Sequence, residues 1–298
     1  DLIELFNVIW KGKILVLSIT TVVAISSIIF SLNLTNYYTS ESVLVARDSQ
    51  DAGPLTDYSG MASLVGVSLA GSSDVSLHKV IQIIESREFV KHLLTFENVL
   101  PSLMPSIMAA KSYDAASQEL YFDPEIYNTK TKTWTRKPSK NKGSKPSYIE
   151  THKAYLGSIL SISQDIKTGL VLITIEHISP FFARDFLELI IKEANTLKRE
   201  KDIDASSKAL VYLKKELSQT SLAEMKESIS QLIEAQLETQ MMAKISEEYI
   251  LVVIEPPFVP EEKFKPSRAF IVVLATIFGG LLSVMIVLLN HYLLRRRV

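Results

Sequence analysis

The run "EPPFVPEEKFKPSRAFIVVLATIFGGLLSVMIVLL", Glu255–Leu289, joins two incompatible kinds of chain. Its first part places Pro256, Pro257, Pro260 and Pro266 within eleven residues, interleaved with Lys263, Lys265 and Arg268. Its second part, Phe270–Leu289, is twenty residues without a charge. About 20 apolar residues, rising about 1.5 Å each, cross a hydrocarbon core of ~30 Å, so this part reads as a transmembrane helix. Each proline lacks the N–H that a strand ladder needs and favours extended backbone. The first part therefore reads as a stiff tether from a folded domain to a membrane, where a Gly/Ser linker would let the domain swing.

A second uncharged run, Ile14–Leu34, lies near the other end of the 298-residue chain. It is too long for the apolar core of a signal peptide, and "LNLT" at its end, 32–35, is a poor cleavage site. Two spans place both termini on one side. Lys11 and Lys13 before the first span, and Arg295, Arg296 and Arg297 after the second, put the termini in the cytoplasm under the positive-inside rule. Lys263, Lys265 and Arg268 offset this locally at the second span, but long domains translocate largely regardless of charge. The expected organisation is a cytoplasmic amphipathic segment at 1–13, spans at 14–35 and 269–290, an extracytoplasmic domain at 36–268 and a cytoplasmic tail at 291–298. Residue 1 is Asp rather than Met, so native residues are expected to precede it.

In the first segment Leu2, Leu5, Phe6 and Ile9 share a helical face. Residues 37–46 are rich in Tyr, Thr and Val and predict a strand. Residues 48–53 read as a loop, and "GMASLVGVSLAGSS", 60–73, as a small-residue segment of weak helical character. Leu77, Val80, Ile81, Ile84, Val90, Leu93 and Leu94 predict one helix over 76–96, ended by the region of Pro101 and Pro105. A hairpin follows, with strands at 159–163 and 170–177. Ser179-Pro180 supplies an N-cap and a proline at the first helical position.

From Phe181 to Tyr249 there is neither Gly nor Pro. Phe182, Phe186, Leu189, Ile190 and Leu197 form one helical stripe. Leu222, Met225, Ile229, Leu232, Ile233, Leu237, Met241, Ile245 and Tyr249 form another. Ser221 and Glu224 have capping-box spacing, which predicts one helix ending near Leu217 and another starting at Ser221. The flanking strands, "LVLITIEH" and "YILVVIEP", require the chain to go out and return, so 180–249 reads as a helical hairpin. Its legs come out unequal, and weak helix formers at 202–207 predict a bend there. The fold class is thus an α/β (α+β) base carrying a long helical hairpin, anchored by two transmembrane helices, with the proline stem at 256–266.

The chemistry is sparse. No H-E-x-x-H, G-x-S-x-G or Rossmann glycine pattern occurs, and "GVSLAGSS", 66–73, lacks the phosphate-loop lysine. His78, His92, His152, His177 and His291 have no ligand spacing, and with no cysteine there is no disulfide or thiolate site. These absences predict a non-enzyme without cofactor or metal. A net charge of −1 predicts no nucleic-acid partner. Between Lys130 and Lys145 stand seven cations and no acid: Lys130, Lys132, Arg136, Lys137, Lys140, Lys142 and Lys145. They read as a solvated loop or as a contact for acidic sugar or lipid phosphate, with Tyr127, Trp134 and Tyr148 near enough to stack on sugar rings. In the second span Ala275, Gly279 and Ser283 stand four apart, with Gly280 widening the smooth face; small residues at this spacing let transmembrane helices approach closely.

Several stretches together resemble the Wzz chain-length determinants, the bacterial polysaccharide co-polymerases. They are "YYTSESVLVA" after the first span, "IQIIESREFVKHLL", "SQDIKTGLVLITIEHISP" and "ISQLIEAQLETQMMAKISEEYILVVIEPPFVPEEKFKPSRAF". "SPFFARDF" departs from the charged or Ala-rich start expected there. The resemblance implies an inner-membrane protein with a periplasmic central domain and a ring homo-oligomer. It implies that the protein sets the modal length of a surface polysaccharide, often O-antigen, as a scaffold acting on a Wzy-type polymerase and its lipid-linked polysaccharide. The lack of a phosphate loop after Val298 fits the kinase-free branch, and a kinase-fused chain stays open should further residues follow. Enterobacterial common antigen or exopolysaccharide are alternative polymers. A periplasmic adaptor of an export complex is the alternative class, although the β-rich halves that usually flank an adaptor hairpin are missing. A two-span sensor would need a larger cytoplasmic part.

Overall fold

The computed structural model describes residues 8, 10–46, 73–103, 108–139, 142–165 and 167–295. Leu2, Leu5, Phe6, Ile9, the 48–53 loop, most of the 60–73 segment, Pro105, Lys140, Arg296 and Arg297 lie outside these. The chain forms two compact units: one of residues 1–37 and 262–298, the other of residues 38–261.

The first unit pairs α1, Lys13–Leu32, with α8, Arg268–Arg295. Both are long and apolar enough to cross a membrane by length and composition. The helices run antiparallel, since Val23 meets Gly279 while Gly12 meets Val287. Their outward faces are apolar and exposed, including Leu17, Ile29, Phe270, Phe278 and Leu281. An apolar exposed face is costly in water and suited to lipid. At one end Lys13 Nζ lies 4.8 Å over the Trp10 ring. At the other, Tyr37 and Lys265 form an antiparallel bridge.

The second unit is built on a four-stranded antiparallel sheet of order β6-β7-β1-β8: β1 Tyr38–Ala46, β6 Leu160–Gln164, β7 Leu170–His177 and β8 Leu251–Glu255. The strand that follows the first span and the one that leads to the second are therefore neighbours. In β7 every second residue is buried, and Val171, Ile173 and Ile175 point into the core with Leu44 of β1. Burying each such side chain contributes about 1.5–3 kcal/mol. That face is covered by α6, Pro180–Gln219, through Ala183, Phe186, Leu187, Ile190 and Ala194. As the sequence predicts, Ser179 caps α6, accepting from Phe182 N at 3.2 Å, with Pro180 in its first turn.

The predicted single helix over 76–96 is two helices, α2 Ser73–Ile84 and α3 Arg87–Leu93. Ser86 takes up extended backbone and accepts from Phe89 N, so it caps a new helix where periodicity alone continues the old one. Pro101 sits in the first turn of the short helix α4, Val99–Ser102, where its missing N–H loses no helical bond. Two small hairpins follow, β2 Ala110–Asp114 with β3 Glu119–Phe122, and β4 Tyr127–Asn128 with β5 Thr133–Trp134. The helix α5, Tyr148–Ala154, continues as a π turn, Tyr155–Ile159, into β6.

The helical hairpin is present, and its break falls at Thr220–Leu222 between α6 and α7, Ala223–Ile245. The Ser221/Glu224 capping box does not form. Leu222 is the N-cap, so Glu224 stands at the second helical position, one short of where its side chain could reach back. Helix α6 is uninterrupted through 202–207, and the unequal legs have a different origin. The first fifteen residues of α6, 180–194, lie on the sheet. From Asn195 to Gln219 the helix rises about 37 Å, and α7 returns about 35 Å. Ser246, in extended backbone, and a run of bends at 247–250 then lead into β8.

Candidate interaction surfaces

The proline stem begins where β8 ends. Ser42 and Ser40 of β1, 1% and 0% exposed, donate hydroxyls to the carbonyls of Glu255 and Phe258, both at 2.7 Å. Side-chain donors thus hold the segment alongside β1 beyond the end of the β8 ladder. Pro260 is buried there, Pro257 half-buried and Pro256 exposed. Pro266 belongs to the other unit and is half-buried.

Of the small face of α8, Gly279 and Ser283 are buried against α1. A Cβ on Gly279 would stand 2.8 Å from Val23 Cγ1 and 2.9 Å from Val23 Cβ, so only glycine fits without displacement. Ser283 Oγ lies 3.5 Å from Thr20 Oγ1. Gly280 has only Thr20 Oγ1, at 4.0 Å, near its Cβ position, and Ala275 is half-buried. The partner of this face within the chain is its own first span.

The basic segment is not one solvated loop. Lys132 pairs with Glu97, while Arg136 and Lys142 converge on Glu150 at 3.2 and 3.3 Å. Burial opposes ionisation of Glu150, but the Ser147 N–H, Arg136 and Lys142 outweigh it and hold its carboxyl below the ordinary range. Glu150 also closes a capping box with Ser147 at the start of α5. Tyr127 is buried and packs on Trp134 at 5.0 Å between centroids, so both rings are committed to the fold. Tyr148, Lys130, Lys137 and Lys145 remain exposed.

Three arrangements were not legible in the sequence. Asn195, 4% exposed, accepts from Ile250 N and Leu251 N at 2.8 and 2.9 Å and donates to Leu251 O at 3.0 Å. It completes the edge of β8 much as another strand would. Tyr249 donates to Asp202 at 2.8 Å; burial first, and then this bond, push its phenol up. Buried His177 lies against the carbonyls of Ser102 and Leu103 through Nε2, and its Nδ1 accepts from Ser179 N at 3.1 Å. The accepting Nδ1 requires a neutral ring, and burial pulls its pKa down to about 4.

The hairpin leaves an apolar face uncovered. Ile229, Ala235 and Ala243 of α7 face Leu210, Leu213 and Ser206 of α6 as its buried residues. Leu222, Met225, Leu237, Met241 and Ile245 are exposed, the last at 73%, together with Val211 and Tyr212 of α6. Among the described residues no group of His, Cys, Asp and Glu could hold a metal ion.

The chain thus combines two paired apolar helices, long enough to cross a membrane, with a sheet domain and helical hairpin between them in sequence. Residues 1–95 match the family model Wzz, chain length determinant protein, the family that the sequence resembles. No curated protein matches the chain. Among solved structures, a full-length bacterial polysaccharide co-polymerase aligns over 99% of both chains at 12% identity and TM-score 0.43. A fragment of WzzB, the polysaccharide co-polymerase from Salmonella Typhimurium, aligns over 77% of this chain and 100% of its own at 12% identity and TM-score 0.32.

Proposed function

We propose that the chain is a polysaccharide co-polymerase of the bacterial inner membrane that regulates the modal length of a surface polysaccharide. Lipopolysaccharide O-antigen, made by a Wzy-type polymerase on a lipid carrier, is the first polymer to test. The observation that carries this reading is the match of residues 1–95 to the chain length determinant family. The protein acts as a scaffold rather than a catalyst, with residues 38–261 in the periplasm and both termini in the cytoplasm.

Its working form is a homo-oligomer, a ring in this reading. The apolar residues exposed on the hairpin, from Leu222 to Ile245, support this, because a second copy would remove them from water. The proline stem and the Gly279 contact hold the geometry that the polymerase senses.

The test is complementation of a strain lacking its own length regulator, read as a ladder gel of the surface polysaccharide. A restored modal band supports the reading. A random ladder at normal protein level refutes it, and loss of all polymer points to an export or catalytic role. Mass measurement in mild detergent checks the oligomer, and a monomer there overturns the ring.

A further inference from the structure

At the end of the paired helices where Tyr37 meets Lys265, the three cations Lys263, Lys265 and Arg268 gather within six residues. Backbone bonds fix this end: Tyr37 N donates to Lys265 O at 2.9 Å, and Phe264 N donates to Tyr37 O at 2.8 Å. Arg268 ties the turn after α1 to the start of α8, donating to Leu34 O at 3.4 Å and Asn36 Oδ1 at 3.1 Å. Those acceptors are neutral, and Arg268 Nε is enclosed without a partner. Neither Lys263 nor Arg268 meets a carboxylate among the described residues, although Glu261 and Glu262 immediately precede Lys263. Lys263 and Lys265 are exposed on either side of Phe264, whose ring is 58% exposed. Lys265 Nζ lies 5.2 Å over that ring.

We propose that Lys263, Phe264, Lys265 and Arg268, held by the Tyr37 bridge, form a binding site for the headgroup phosphate of an anionic glycerophospholipid of the surrounding bilayer. An aromatic ring between cations at a helix mouth suits the membrane interface: the ring enters the acyl boundary while the ammonium groups stay at phosphate level. Arg268 adds a positive field without a counter-ion, and the backbone bridge orders the site before lipid arrives, which lowers the cost of binding. The site rests on the membrane reading of α1 and α8 but not on length regulation.

The test is native mass spectrometry of the full-length protein in detergent, titrated with phosphatidylglycerol or phosphatidylcholine. Retention of phosphatidylglycerol well above phosphatidylcholine, falling with added salt, is expected. A juxtamembrane lysine contributes about fivefold in affinity, so Lys263→Gln with Lys265→Gln should weaken the anionic lipid roughly thirtyfold. Arginine at both positions should restore it, and Phe264→Ala should weaken both lipids. Unaltered melting of the glutamine variant shows that the loss is not unfolding. Equal retention of the two lipids, or no loss in the glutamine variant, overturns the site. Preferential binding of free inorganic phosphate that abolishes the lipid preference also overturns it. An unrestored polysaccharide ladder alongside selective lipid binding would instead count against length regulation alone.

Discussion

Asn195 offers the sharpest single perturbation. Asn195→Leu keeps the branched shape of the side chain and removes three hydrogen bonds, to Ile250 N, Leu251 N and Leu251 O. A net hydrogen bond is worth about 1 kcal/mol, and a buried group left unmet costs ~1–3 kcal/mol. Leu251 is 1% exposed, so water cannot replace the lost partner without opening the strand edge. The loss sums to roughly 3 kcal/mol, which is about a hundredfold in the opening equilibrium of the segment entering β8. Hydrogen–deuterium exchange on the full-length protein in detergent reads this directly. Peptides covering 246–255 should exchange about a hundredfold faster, while those from β7 keep their protection. Equal acceleration in β7 would show global unfolding, and a change below threefold at 246–255 would refute the strand-edge role of Asn195.

Four further outcomes follow from the geometry. His177, pulled down to about 4 from 6.5, leaves stability intact above pH 6.5. As pH falls from there towards 4, the unfolded chain takes up a proton that the folded one refuses, at a cost approaching roughly 3 kcal/mol; melting temperatures at pH 7.5 and 4.5 should diverge less in His177→Gln than in the native protein. Cysteines replacing Thr20 and Ser283, whose oxygens lie 3.5 Å apart in a chain without native cysteine, should cross-link; Gly279→Leu should lower the yield severalfold and Gly280→Ala should not. Ser40→Ala with Ser42→Ala should speed exchange of the backbone near 255–260 and broaden the polysaccharide ladder, as should Gly or Ser at Pro256, Pro257, Pro260 and Pro266, and an unchanged modal length at equal protein level counts against the stem. A cysteine at Lys137 should react with an impermeant thiol reagent in spheroplasts; labelling only after lysis reverses the proposed topology.

The two apolar helices, the strands at 38–46 and 170–177, the Ser179 cap and the hairpin were legible in the sequence because each rests on local signals. A charge-free run, a period of two, a serine before a proline and a breaker-free stretch act over one or two turns of chain. The break at Ser86 and the failed box at Ser221 show the limit of that reading. In both, which residue becomes the cap depends on where the neighbouring helix must end, and one position of shift moves a side chain out of reach. The basic stretch by itself hides its partners for a related reason, since Glu97 and Glu150, which pair with three of its cations, lie outside it.

By itself, then, the sequence determined where the chain is apolar enough for lipid, where it is helical, and that it must go out and come back. Only the tertiary structure decided which polar groups complete the sheet. Asn195 meets β8 from 56 positions away in the chain, and Ser40 meets the proline stem from 218. No local period encodes such contacts: the choice of partner is made by the burial of unmet backbone groups, which have to find whatever donor or acceptor the packed core brings within about 3 Å.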